Sequence, residues 1–123
     1  MKIYLAHNFA ARAYLVDVIV ELTNLGHQIT STWITNDSHL HSMNAQQSAE
    51  QDLMDIERSD AILLFTDQFS DRPGKGKFVE FGYAIARNKR LFIIGEDHNC
   101  IFYNLFKVNH IKDFKELSNW ATR

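Results

Sequence analysis

Glu80 stands in apolar company. Within Phe78-Val79-Glu80-Phe81-Gly82-Tyr83-Ala84-Ile85-Ala86 it is the only carboxylate. Burying such a group costs several kcal/mol unless something compensates, and the dipole of a helix N-terminus compensates in part. A carboxylate held ionised in an apolar pocket can act as a nucleophile. The structural alternative is a capping Glu bonded to backbone amides. A second acid, Asp52, lies about 60° from the helical stripe centred on Ala49, at 100° per residue. It borders the buried face, whereas Glu50 and Glu57 sit further round. As a crevice residue it is a second reactive acid; otherwise it is solvated or pairs with Arg58. Two acids, one ionised and one holding a proton, are the minimal set for cleaving a glycosidic bond.

Three further groups could bind rather than react. Gly74-Lys75-Gly76-Lys77 precedes the Glu80 helix, and glycines, amides and lysines at a helix N-terminus suit a phosphate. Walker A spacing is absent, and a surface loop without ligand is the alternative. After the first strand comes Ala6-His7-Asn8-Phe9-Ala10-Ala11-Arg12. It lacks the glycines of a dinucleotide loop, but Asn8 is placed to face a crevice, and Arg12 in a first helical turn opposes the dipole and suggests an anion partner. Trp33, near a strand end, could stack on a base or fill the core. His39 and His41 have no Cys or carboxylate partner at zinc spacing, so no metal site is expected, and no cofactor is implied.

The elements that position these groups follow from periodicity. Ile3-Tyr4-Leu5-Ala6 predicts a strand buried on both faces. Leu15, Val18, Ile19, Leu22 and Leu25 predict a helix over 10–25, stopped by Gly26. Strands are predicted at 28–33, 61–66 and 90–95, with a short fifth near Val108. Helices are predicted at 45–56, 78–88 and 113–121, and long loops at 36–44 and 67–77. Such alternation implies a flavodoxin-like or Rossmann-like doubly wound parallel sheet of four to five strands, with helices on both faces. Ligands bind such sheets at the carboxyl ends of the strands, near the switch in strand order. Asn8, Trp33, the 67–77 loop and the front of the Glu80 helix should then line one crevice.

The chain has 123 residues, 46% of them hydrophobic and 23% charged, which suits one domain over 1–123. A net charge of -2 gives no footprint for duplex nucleic acid. No apolar run approaches a membrane span. The lone Cys100 and a start directly in a strand point to a reducing cytoplasm. A receiver-type phosphorylation switch would need acids where Ala6-His7 stands. A flavodoxin-type electron carrier would need a hydroxyl-rich loop where Asn8-Phe9-Ala10-Ala11 stands. A nucleotide sensor that binds without turnover stays open.

The chain resembles the nucleoside 2-deoxyribosyltransferase family, including its 2'-deoxynucleoside 5'-phosphate N-hydrolase branch. The residues that carry the resemblance are Ile3-Tyr4-Leu5-Ala6, Glu50-Gln51-Asp52-Leu53 with Ile56 and Ser59-Asp60-Ala61, Glu80-Phe81-Gly82-Tyr83-Ala84 with Asn88-Lys89-Arg90, and Asn104-Leu105. It implies that Glu80 is the nucleophile that forms a covalent deoxyribosyl-enzyme, and that Tyr4 orients it. It also implies that Asp52 lies near the departing base and sugar. Asn104 would be supplied to a neighbouring subunit's site, so a homodimer or larger assembly is implied. Nucleoside transferases carry an Asp six residues before the nucleophile; here that position is Gly74, flanked by Arg72 and Lys75, and the nearest acid, Asp71, takes that place only if the long loop folds back. An acid would repel a 5'-phosphate and lysines would attract one, so 5'-monophosphates are expected to be preferred. The acceptor of the sugar is another base or water.

Overall fold

The computed structural model describes residues 1–35, 43–66, 75–96 and 100–120. Five strands form one parallel sheet: β1 (Lys2–Ala6), β2 (Gln28–Ile29), β3 (Ala61–Phe65), β4 (Arg90–Ile94) and β5 (Val108–Ile111), in the order β2-β1-β3-β4-β5. Among the described residues three α-helices lie between them: α1 (Arg12–Asn24), α2 (Ala45–Glu57) and α3 (Gly76–Ala86). The sheet is the doubly wound fold the alternation predicts. The chain runs outward from β1 to β2, then returns across β1 to build β3, β4 and β5. The switch in strand order therefore lies between β1 and β3, which pair from Ile3↔Ala61 to Ala6↔Leu64. No described helix is long and apolar enough to cross a membrane.

Packing follows from this topology. Strands covered by helices on both faces read as unbroken apolar runs rather than alternating ones. Accordingly Ile3 to Ala6 and Ala61 to Phe65 are all buried. In α1, Leu15, Val18 and Leu22 face the sheet, at spacings of three and four. The helix closes at Gly26, whose φ of 93° is the left-handed conformation that favours glycine. α2 opens with a reciprocal capping box between Asn44 and Gln47. The buried row of α3 is Lys77, Phe81 and Ala84.

Two elements differ from the sequence expectation. β2 pairs over Gln28–Ile29 only, not to Trp33. The Thr30 amide still donates to the Ile3 carbonyl at 2.9 Å. Beyond it side chains take over the ladder: the Leu5 amide donates to Ser31 Oγ at 3.1 Å, and the Leu5 carbonyl accepts from Trp33 Nε1 at 3.2 Å. The terminal helix is a 3-10 segment, Phe114–Asn119. Its buried residues, Phe114 and Leu117, are three apart and so line up at three residues per turn.

Candidate active site

Tyr4 lies on β1 with no exposed surface. Its hydroxyl donates to the Glu80 carboxylate, which joins the strand next to the switch to α3. Glu80 is the fifth residue of α3. It has passed the free amides of the first turn, so the dipole that was expected to keep it ionised gives little help. Burial instead pushes its pKa up to about 8; the Tyr4 hydrogen bond pulls the other way, and the charge of Asp52 adds to the rise. Burial first, then the charges of Glu80 and Asp52, also push Tyr4 upward. Three acids thus share one poorly solvated space, where a second negative charge is disfavoured.

Asp52 reaches this space from α2, and one turn beyond it Asp55 fixes that helix. Asp55 is fully buried. It accepts from the Thr32 amide at 2.9 Å, Thr32 Oγ1 at 2.7 Å, Gln51 Nε2 at 2.9 Å and Arg58 Nη2 at 2.6 Å. Arg58 is thereby committed to Asp55 and to the Thr30 carbonyl, which removes the pairing with Asp52 that the sequence allowed. The two Thr32 bonds tie α2 to the segment after β2, and the two from Gln51 and Arg58 hold the carboxylate against its own helix. Sequence reasoning missed Asp55; its spacing of three from Asp52 is the only signal it leaves.

Above Glu80 opens a cavity of about 300 Å³. Of the residues predicted for the site, Glu80, Asp52, Asn8, Trp33, Lys75, Gly76 and Lys77 line it. Tyr4 lies beneath Glu80 and outside the lining. Arg12 donates from Nε to the Ile34 carbonyl and is not among the lining residues. Asn104 is exposed, donates weakly to the Ile101 carbonyl at 3.5 Å, and stands away from this cavity. Gly74 lies outside the described residues, as do Asp71 and Arg72.

The structure adds His7, Phe9 and Ser48 to the lining. His7 stacks on Phe65 at 5.1 Å and accepts the Asn8 amide at Nδ1. Phe9 leans on Trp33 at 6.1 Å. Ser48 precedes Asp52 by one helical turn, a spacing that could have revealed it. One wall is therefore aromatic, the floor carries the acids, and the α3 end presents Lys75 and Gly76. A methyl group at Gly76 would meet no described atom within 4 Å, so the glycine leaves room at the mouth. Among the described residues no cluster of three or more His, Cys, Asp or Glu could hold a metal ion.

A parallel sheet of order 2-1-3-4-5, with a tyrosine-bonded carboxylate at its switch point, defines the class as a doubly wound α/β protein with a ligand crevice. The sequence profile of the family described as Nucleoside 2-deoxyribosyltransferase matches residues 3–119, and the chain belongs to that family. Two solved structures share the fold. The CMP N-glycosidase BcmB of Clostridium botulinum is 18% identical, covers 99% of this chain and 98% of its own, and superposes with a TM-score of 0.67. The 2-deoxyribosyltransferase of the psychrotolerant bacterium Bacillus psychrosaccharolyticus is 21% identical, covers 99% and 95%, and gives 0.73. A comparison with curated protein sequences gives no match. Membership supports an enzyme that acts on the N-glycosidic bond of a nucleoside.

Proposed function

We propose that the protein cleaves the N-glycosidic bond of a 2'-deoxynucleoside or its 5'-monophosphate through a covalent deoxyribosyl-Glu80 intermediate, with the monophosphate preferred. The bond from the Tyr4 hydroxyl to Glu80, at the floor of the switch-point cavity, carries this reading. In the first half-reaction a Glu80 oxygen bonds to the anomeric carbon while the carbon–nitrogen bond breaks and its electron pair leaves with the base. Asp52 supplies the proton to that base. In the second, water or another base attacks the same carbon while Asp52 takes back a proton from that acceptor, and Glu80 departs as the carboxylate. Attack requires ionised Glu80 and protonated Asp52, so the one proton that the two coupled carboxyls share must sit on Asp52 in the reactive form. Tyr4 then holds the carboxylate in line by a charge-assisted bond.

Phe9 and Trp33 suit the face of a base. Lys75 and the glycine at the start of α3 suit a 5'-phosphate, with Asn8 across the cavity. The name of the Clostridium botulinum glycosidase, which specifies a nucleoside monophosphate, agrees with this preference. Arg12 serves the phosphate indirectly in this reading, by fixing the loop after β1 to Ile34. Asn104 belongs to the site of a second copy. It sits in a strongly apolar exposed segment, where Ile101 is 78% and Phe102 55% exposed, and a homodimer would cover that segment. The enzyme needs no cofactor and works in the cytoplasm.

The test is chromatography of products from a panel of deoxynucleosides and their 5'-monophosphates, with and without an added base, for wild type and Glu80→Ala. Base released from a monophosphate without an acceptor identifies a hydrolase with a phosphate subsite. A new nucleoside that forms only with an acceptor identifies a transferase. Tight binding of an intact nucleotide with no Glu80-dependent product would replace the enzyme with a sensor.

A further inference from the structure

Lys77 occupies the buried row of α3, in line with Phe81 and Ala84. It is 1% exposed. Its Nζ donates to the carbonyl oxygen of Phe65 at 3.0 Å, and lies 5.5 Å from the centre of the Phe78 ring. Phe65 ends β3, and its ring is the one on which His7 stacks. Lys77 thus crosses from the first turn of α3 to the end of the central strand. Glu80 follows three residues later, about 4.5 Å further along the helix axis.

An ammonium is costly to bury, and a neutral aliphatic side chain would fill the same row without that cost. The hydrogen bond to the strand end is what the lysine offers and a leucine does not. We propose that Lys77 is a positioning residue. Its ammonium pins the start of α3 to the end of β3, and so holds the Glu80 carboxylate in reach of Tyr4 and of the anomeric carbon. This deepens the glycosidase reading and rests on it. It separates the two lysines of the Gly-Lys-Gly-Lys run: Lys75 stays at the cavity mouth for the substrate, and Lys77 serves the frame. A misplacement of the nucleophile by about 1 Å can cost ~10²-fold in rate.

The test measures kcat and KM for a deoxynucleoside and its 5'-monophosphate with wild type, Glu80→Ala, Lys77→Leu and Lys77→Arg, alongside thermal melts. The expected result is a folded Lys77→Leu enzyme with kcat lower by about 10–100-fold on both substrates, KM within ~3-fold of wild type, and part of the loss recovered in Lys77→Arg. An unchanged kcat in folded Lys77→Leu would overturn the proposal. So would a KM rise confined to the monophosphate, which would make Lys77 a phosphate ligand. If Lys77→Leu does not fold, Lys77→Arg decides: a uniform kcat loss with KM held supports the proposal, and any other pattern overturns it. Wild type without Glu80-dependent product would remove the glycosidase reading and this inference with it. An active wild type with an indifferent Lys77→Leu would remove this inference alone.

Discussion

Two glutamates on adjacent helices each accept a hydrogen bond from a tyrosine, and they respond in opposite directions. At the outer edge of α2 and α3, Tyr83 donates to Glu57 at 2.5 Å. The Glu57 pKa is lowered, first by that bond and then by bonding to Arg87. At the cavity floor Tyr4 donates to Glu80, yet Glu80 is pushed up to about 8. The same bond therefore does not decide the outcome; burial and the sign of the neighbouring charges do. Glu57 is surrounded by Arg87 and the Lys89 ammonium, which donates to its carbonyl at 2.9 Å. Glu80 has Asp52 instead. The contrast extends to the cavities beside them. The one near Arg87, Lys89 and Arg90, at the amino ends of the strands, is larger, about 430 Å³. Charged groups there bond to backbone: Asp60 accepts the Lys2 amide at 2.8 Å, and Lys89 donates to the Glu57 carbonyl. The smaller cavity holds Glu80, an acid whose environment opposes its ionised form, which is the mark of a reactive site rather than a solvated one.

Substitutions break the comparison most sharply at the two glutamates. Glu80→Ala should lower kcat/KM by about 10³-fold or more, while Glu57→Gln stays within ~3-fold; single-turnover base release measures both. Comparable losses at the two positions would deny Glu80 a special role. Asp52→Asn should come next, with kcat lower by ~10²-fold for the lost proton donor. Its acid limb should move to lower pH, because the Asp52 charge is one cause of the raised Glu80 value. A limb that stays in place would show that the two acids do not sense each other. Tyr4→Phe should cost about tenfold in kcat and move the limb the other way, since the lost bond favoured the carboxylate. Tyr83→Phe should leave the pH profile of activity where it is.

Much of this contrast is written in the sequence. The all-apolar runs of β1 and β3 announce strands buried on both faces, and their order places the crevice. Glu80 shows itself by contrast with its neighbours, and Asp52 by angular arithmetic on the α2 stripe. Other features depend on side chains meeting across the fold, which local pattern does not encode. The stretch 28–33 has strand propensity throughout, but Ser31 and Trp33 replace its ladder with side-chain bonds to Leu5. Asp55 looks like a surface acid next to Arg58 until Thr32 closes over it. Lys77 reads as half of a basic loop; only its spacing from Phe81 and Ala84 betrays a buried position. The rise in the Glu80 pKa was missed because the helix begins at Gly76, which moves Glu80 beyond the first turn.

The smallest effect tests the comparison without catalysis. The raised pKa means that folding favours protonated Glu80. Its contribution to stability is fully present below the ordinary value of 4.5, declines as the unfolded chain ionises, and is lost once the pH has risen through about 8. Glu80→Gln cannot ionise, so its stability relative to wild type should climb across that window and level off above it. The full shift sets an upper bound; partial exposure of the side chain and the retained Tyr4 bond bring the expected gain at pH 9 to about 1–3 kcal/mol. Glu57 has the opposite linkage. Its lowered pKa contributes stability above the ordinary value that is lost as the pH falls, so Glu57→Gln should be the less stable protein near neutrality and approach wild type in acid. Thermal or urea unfolding from pH 2 to 9 should therefore give a Glu80→Gln difference curve that rises between about 4.5 and 8 and a Glu57→Gln curve that falls with rising pH at and below about 4.5. Parallel or flat curves would mean that the two carboxylates share one environment, and the argument from burial and neighbouring charge would fail at its root.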